Sequence, residues 1–294
     1  MFPLLNQTDN LLLYGLTGSG KTTQLVELIK AEMKICGKKA LVYVTDGGGS
    51  SALTDVADIE LFRFGTDPFV WIDGAVQGKR FSHGKWLATD LSNYCLVAME
   101  SLSGMSDMVL NALGKQVAAG QGTDAMKAPS LIIKSEGHEL KVASNSPTHY
   151  GMAQKHLLEK VWQSQLLPVP VVWTAHEDVA VPEKRDESGA LRPEVALGPA
   201  VKGMIGPLVA GHAMTLPLPK YFVYTFRLKV EPTTTGKTHI LYTERHKDGM
   251  YEGLANNRAP FGTKTVVAGK VMPANVVQVL QQIQAARAEA KQRA

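Results

Sequence analysis

The chain of 294 residues has only two cysteines, Cys36 and Cys95, and they lie far apart. No CxxC pair and no His/Cys cluster has metal-ligand spacing, so neither a disulfide framework nor a structural zinc site is implied. Long apolar runs are also missing. None approaches the roughly 20 residues that cross a bilayer, and residues 1–10 lack the basic start and apolar core of a secretion signal. A cytoplasmic protein in a reducing compartment, without membrane attachment, is the expectation. There is no Gly-x-Ser-x-Gly elbow of the kind that carries a serine hydrolase triad. An excess of one charge is scarce as well: 31 Lys and Arg face 27 Asp and Glu, for a net +4. That balance permits a nucleic-acid partner without requiring one.

What is present is an alternation of apolar runs and helical periodicities. Residues 11–14, 40–44, 59–64, 94–99 and 169–174 read as buried strands. Residues 22–35, 105–117 and 149–165 read as helices, the first stopped by Gly37. The spacing predicts a hairpin over 131–142 and a short helix over 200–212. Residues 221–230 and 239–245 alternate like antiparallel strands, and a helix starts at Pro273, its polar tail fraying from Arg287. Strands alternating with helices predict an α/β fold: a doubly wound, mainly parallel sheet with a C-terminal antiparallel extension. Residues 1–270 are expected to form the core, with loop-rich stretches near 65–90 and 180–200, and residues 271–294 a terminal helix and tail.

The strongest motif is Gly15-Leu16-Thr17-Gly18-Ser19-Gly20-Lys21-Thr22, followed by Thr23. It matches G-x-x-x-x-G-K-[ST] in full, between an expected strand and an expected helix. Gly15, Gly18 and Gly20 let the backbone curl so that its amides face phosphate oxygens, and the helix start adds its positive end. Lys21 supplies a point charge to the β- and γ-phosphates, and the Thr22 hydroxyl can ligate Mg²⁺. Thr17, Ser19 and Thr23 fall in or beside the same cradle. ATP with Mg²⁺ is the ligand this pattern implies.

Two carboxylates end later strands. Glu100, after Tyr94-Cys95-Leu96-Val97-Ala98-Met99, stands where the metal-associated Walker B residue is expected, although aspartate is commoner there. An ordinary acidic residue opening a turn gives the same pattern. Asp46, ahead of three glycines, is placed to orient or deprotonate an attacking water, or is simply an Asp in a glycine turn. Thr174 ends the fifth strand and His176 follows it; either can sense a γ-phosphate there, or His176 is a loop histidine with no role. Residues 182–199 form the most loop-like stretch. Its Lys184, Arg185 and Arg192 are matched by Glu183, Asp186, Glu187 and Glu194. Arg258, in Asn256-Asn257-Arg258-Ala259-Pro260-Phe261-Gly262, is either a surface arginine or one delivered into a neighbouring subunit's site.

In their order these motifs resemble the RecA-like P-loop ATPases, and among them the phage-encoded ATPases of single-strand annealing and recombination. The likeness rests on the glycine motif near the N-terminus, Asp46, Glu100 with Ser101-Leu102-Ser103, Thr174-Ala175-His176, and Gly198-Pro199-Ala200-Val201-Lys202-Gly203. Asn257-Arg258-Ala259-Pro260-Phe261 is similar to the segment by which RecA subunits reach the next subunit's nucleotide. The resemblance implies a RecA-like fold, ATP hydrolysis with Mg²⁺, assembly of identical subunits into a ring or filament, and single-stranded DNA as partner, in the host cytoplasm. Residues 182–202 then correspond to a DNA-binding loop, and His176 is the nearest residue to a DNA-responsive switch. A phage packaging motor, or a P-loop protein that uses ATP as an assembly switch, carries the same parts.

Overall fold

The computed structural model describes residues 3–45, 50–63, 65–118, 130–135, 138–143, 145, 147–180, 203–234, 236–257, 272–273 and 275–293. Asp46, Arg258 and the whole of the 182–202 stretch lie outside the described residues.

The first apolar run becomes β1 (Asn10–Gly15), buried along its whole length. Helix α1 (Lys21–Cys36) follows and is closed by Gly37 in the left-handed conformation. Then come β2 (Ala40–Val44), β3 (Ala57–Leu61), α2 (Pro68–Val76) and a small hairpin, β4 (Arg80–Ser82) with β5 (Lys85–Leu87). Next are β6 (Val97–Glu100), α3 (Leu102–Ala118), the hairpin of β7 (Ser130–Ser135) and β8 (His138–Ala143), α4 (Pro147–Ser164) and β9 (Val171–Ala175). β10 (Glu177–Ala180) and β11 (Gly203–Pro207) precede the long hairpin of β12 (Tyr224–Thr233) and β13 (Gly236–Tyr242). β14 (His246–Asp248), β15 (Tyr251–Gly253), β16 (Asn256–Asn257), β17 (Met272–Pro273) and a C-terminal helix (Val276–Arg293) complete the order.

Among the described residues the main sheet has nine strands, in the order β17-β13-β12-β1-β9-β6-β2-β3, with β16 also on β12. From β12 to β3 every pairing is parallel; β13, β16 and β17 join antiparallel. The chain leaves β1, crosses over α1 to β2, and only later fills the gap with β6 and β9. That reversal leaves a crevice at the C-terminal ends of β1, β9 and β6, the place where open α/β sheets bind ligands. One face of the sheet is covered by α2, α3 and α4, with Trp71, Met105, Leu157 and Trp173 in its core. The other is covered by α1 and the C-terminal helix, through Leu25, Ile29, Leu280 and Ile283. Because both faces are covered, the parallel strands are continuous apolar runs rather than alternating ones. A second sheet, β10-β11-β15-β14, lies beyond the tip of β9.

Several expectations are corrected. The stretch after residue 65, expected to be loop, contains α2. Asp67 caps it, accepting from the Phe69 and Val70 amides at 2.8 and 3.3 Å, and Pro68 sits at its first position. Gly74 breaks the sequence pattern for a packing reason: a Cβ there would lie 2.4 Å from the Trp86 indole. Gly74→Ala is therefore expected to destabilise the protein by about 1–3 kcal/mol through overpacking, read as a lower denaturation midpoint in urea. An unchanged or raised midpoint would show that Trp86 gives way.

Residues 203–207 form strand β11, not part of a helix. Gly206 admits the Thr215 carbonyl to 2.7 Å from where a Cβ would stand. Pro273 belongs to β17, and the last helix starts at Val276, where the Asn275 side chain accepts from the Gln278 amide at 3.0 Å. The expected frayed tail is helical to Arg293. Arg287 is held by two hydrogen bonds to Asp9, at 2.9 and 3.3 Å. β12 is not merely part of an antiparallel extension, since it pairs in parallel with β1 from Leu11↔Tyr224 to Gly15↔Leu228.

Candidate functional site

The turn after β1 is shaped by two close approaches. Gly15 runs so near β12 that a Cβ would stand 2.1 Å from the Leu228 carbonyl oxygen. Gly18 and Gly20 have φ of 77° and 95°, a region open to glycine at little cost. Gly20 is the N-cap of α1 and offers no side chain to the helix amides. The positive end of α1 therefore has no side-chain cap from its own N-cap residue.

Lys21 folds back across the turn, donating to the carbonyls of Gly15 and Leu16, each at 2.9 Å. Burial holds its amine below the ordinary lysine pKa, opposed by the nearby carboxylates Glu100 and Glu177. The Thr22 hydroxyl donates to Glu100 Oε1, which joins the start of α1 to the tip of β6. That tip is fixed from β2: the Thr45 amide donates to the Glu100 carbonyl at 2.7 Å, and the Ser101 amide donates to Thr45 Oγ1 at 3.1 Å. Thr174, at the end of β9 between the other two strands, is fully buried. Its hydroxyl has no hydrogen-bond partner among the described residues, and neither does that of Ser19. The His176 ring lies 3.4 Å from Thr17, and its amide donates to Ser103 Oγ at 2.8 Å.

These groups line one open cavity of about 380 Å³. Thr17, Gly18, Gly20, Lys21, Thr22, Thr23, Glu100 and His176 all border it, with Ser101, Thr174 and His239. Gly15 and Ser19 form the turn behind. A groove of about 470 Å³ runs between α1 and the C-terminal helix, and there Lys30 pairs with Glu27 at 3.0 Å. Among the described residues, no cluster of three or more His, Cys, Asp or Glu could hold a metal by itself, and no helix is long and apolar enough to cross a membrane. A metal at the cavity would rest on Thr22, Glu100 and its ligand's own oxygens.

Two features were not anticipated from the sequence. His239, on β13, points its Nδ1–H at the Ser19 carbonyl, 2.9 Å away. Arg227, on β12 opposite Tyr14, is almost fully buried yet charged. It pairs with Glu177 at 3.0 and 3.3 Å and with Asp248 at 2.7 Å, and donates to His246 Nε2 at 2.8 Å. That bond assigns the tautomer: His246 accepts at Nε2 and donates from Nδ1 to the Glu244 carbonyl, while burial lowers its pKa. Burial works against the Arg227 charge. Its bonds to Glu177 and Asp248 more than offset this, so its pKa is raised. The network ties the second sheet to the strand beside β1.

The chain matches no protein-family model and no curated protein. Among solved structures it is similar to a KaiC-like protein from the hyperthermophilic archaeon Pyrococcus horikoshii. The identity is 11% and the TM-score 0.38, over 81% of this chain and 79% of that one.

The unsatisfied Thr174 hydroxyl gives a test of the site that separates chemistry from packing. Thr174→Val keeps the shape and removes a buried polar atom that has no partner among the described residues, so stability should be unchanged or slightly higher. If the hydroxyl serves a ligand, turnover should fall about tenfold or more. Unchanged turnover in a steady-state assay would remove Thr174 from the site.

Proposed function

We propose that the chain is a Mg²⁺-dependent ATPase with a RecA-like core. The observation that carries the reading is convergence. Lys21, Thr22 bonded to Glu100, and the orphaned Thr174 hydroxyl meet at the uncapped start of α1, at the C-terminal ends of three adjacent parallel strands. Each is a group that can serve a nucleoside triphosphate and its metal, and the Thr174 hydroxyl has no protein partner among the described residues. Lys21 would exchange the Gly15 and Leu16 carbonyls for phosphate oxygens. Thr22 and Glu100 would hold Mg²⁺, which supplies charge neutralisation across the phosphates. Thr174 and His176 would face the terminal phosphate and the water in line with it. Asp46, whose side of the site is carried by sequence alone, is the second candidate to orient that water.

The finer reading is an oligomer that acts on single-stranded DNA in phage recombination or replication. It is supported by the order of motifs in the sequence, including Arg258 as a residue lent to a neighbouring subunit and the basic and acidic residues of the 182–202 stretch. One assay tests both levels: ATP hydrolysis with and without single-stranded DNA, at two salt concentrations. Stimulation by DNA that weakens at higher salt is expected, because phosphate contacts release counterions. Hydrolysis without stimulation at either salt overturns the DNA part and leaves the ATPase. No Mg²⁺-dependent hydrolysis under any of these conditions overturns the ATPase itself.

A further inference from the structure

The hairpin of β12 and β13 backs the glycine turn at two points. The Leu228 carbonyl abuts Gly15, and His239, two residues along β13 from the partner of Leu228, reaches the Ser19 carbonyl. Gly20 makes room for the imidazole: a Cβ there would lie 3.2 Å from His239 Nδ1 and 3.6 Å from its Cε1. The peptide that joins Ser19 to Gly20 is planar, so its carbonyl and its N–H point to opposite sides. A donor that holds the carbonyl also sets the direction of the Gly20 N–H, away from β13. The amide at this position belongs to the nest that receives phosphate oxygens.

We infer that His239 is a positioning residue for phosphate binding: by gripping the Ser19 carbonyl it holds the Gly20 amide ready for the β-phosphate of a nucleoside di- or triphosphate. The inference rests on the nucleotide reading above. Nδ1 must carry a proton for this, and neutral imidazole can do so. The role is preorganisation, so its effect falls on affinity and not on the chemical step. It is indifferent to the base and to the γ-phosphate.

The test uses the full chain and a fluorescent ATP, with ADP and GTP as competitors. His239→Ala should weaken ATP and ADP by the same factor, about tenfold for one lost hydrogen bond of preorganisation. In hydrolysis, KM should rise while kcat at saturation holds. His239→Asn, whose amide can donate from a similar position, should restore most of the affinity. Equal affinity in His239→Ala and wild type overturns the proposal. So does a loss that differs between ATP and GTP, which would put His239 on the base, or a His239→Asn variant no better than His239→Ala at matched thermal stability. Lys21→Ala separates the two levels. If wild type binds and Lys21→Ala does not, the nucleotide reading stands whatever His239 does. If wild type itself binds no nucleotide, that reading fails and this proposal with it.

Discussion

Lys21→Ala is expected to abolish nucleotide turnover, a fall of about 10³ or more, while leaving the fold intact. The structure shows why the two effects separate. Lys21 borders an open cavity and donates two hydrogen bonds, to the Gly15 and Leu16 carbonyls of its own turn. Its loss should therefore cost little stability, and thermal unfolding without nucleotide should match wild type. In the proposed chemistry the ammonium moves to phosphate oxygens, and no other cation among the described residues borders the cavity. Charge developing on the β- and γ-phosphates would then go uncompensated. The measurement is steady-state phosphate release beside a melting curve. Activity within about tenfold of wild type would exclude a P-loop role for this lysine.

The largest effect on stability is expected at Arg227. Arg227→Ala should destabilise the protein by about 3–5 kcal/mol, because it strands Glu177 and Asp248 in a buried setting without their partner. Glu177 has a side chain only 9% exposed, so water cannot replace the guanidinium there. Asp248 keeps Lys229 at 2.9 Å and should suffer less. The double variant Arg227→Met, Glu177→Gln removes both charges and should lose less than Arg227→Ala alone. Urea denaturation of the three proteins reads this directly. A loss under about 1 kcal/mol for Arg227→Ala would mean that the network is solvated and does not hold the second sheet.

The parts of the molecule that could be read from sequence are those specified by contiguous residues. The glycine motif is eight residues long and sits between a strand and a helix. β1, β2 and β9 are apolar runs because both of their faces are covered, and Gly37 ends α1 in the conformation its type favours. Glu100 was legible as a carboxylate closing such a run. The parts that could not be read depend on partners far along the chain. Nothing local says that Tyr224 to Leu228 lies parallel to β1, since the pairing spans more than two hundred residues of sequence. α2 was hidden by its own Pro68 and Gly74, which look like breakers until Asp67 and Trp86 are seen beside them. His239 is a single histidine in β13, identical in sequence to one with no role. Arg227 left a faint signal. Arg227, Lys229 and Glu231 fall at every second position of β12, so they share one face of the strand, the face that meets Asp248.

β1 is hydrogen-bonded on both sides, to β9 and to β12, and each of those strands has a further neighbour. Its amides should be among the last to trade hydrogen for deuterium, since they open only when the whole sheet does. One residue past its end begins the turn that, in the proposed cycle, must admit and release a ligand on every round. The molecule thus sets its slowest clock directly against its fastest. Ligand exchange can proceed many times within the lifetime of the sheet, with Gly15 as the boundary between the two timescales.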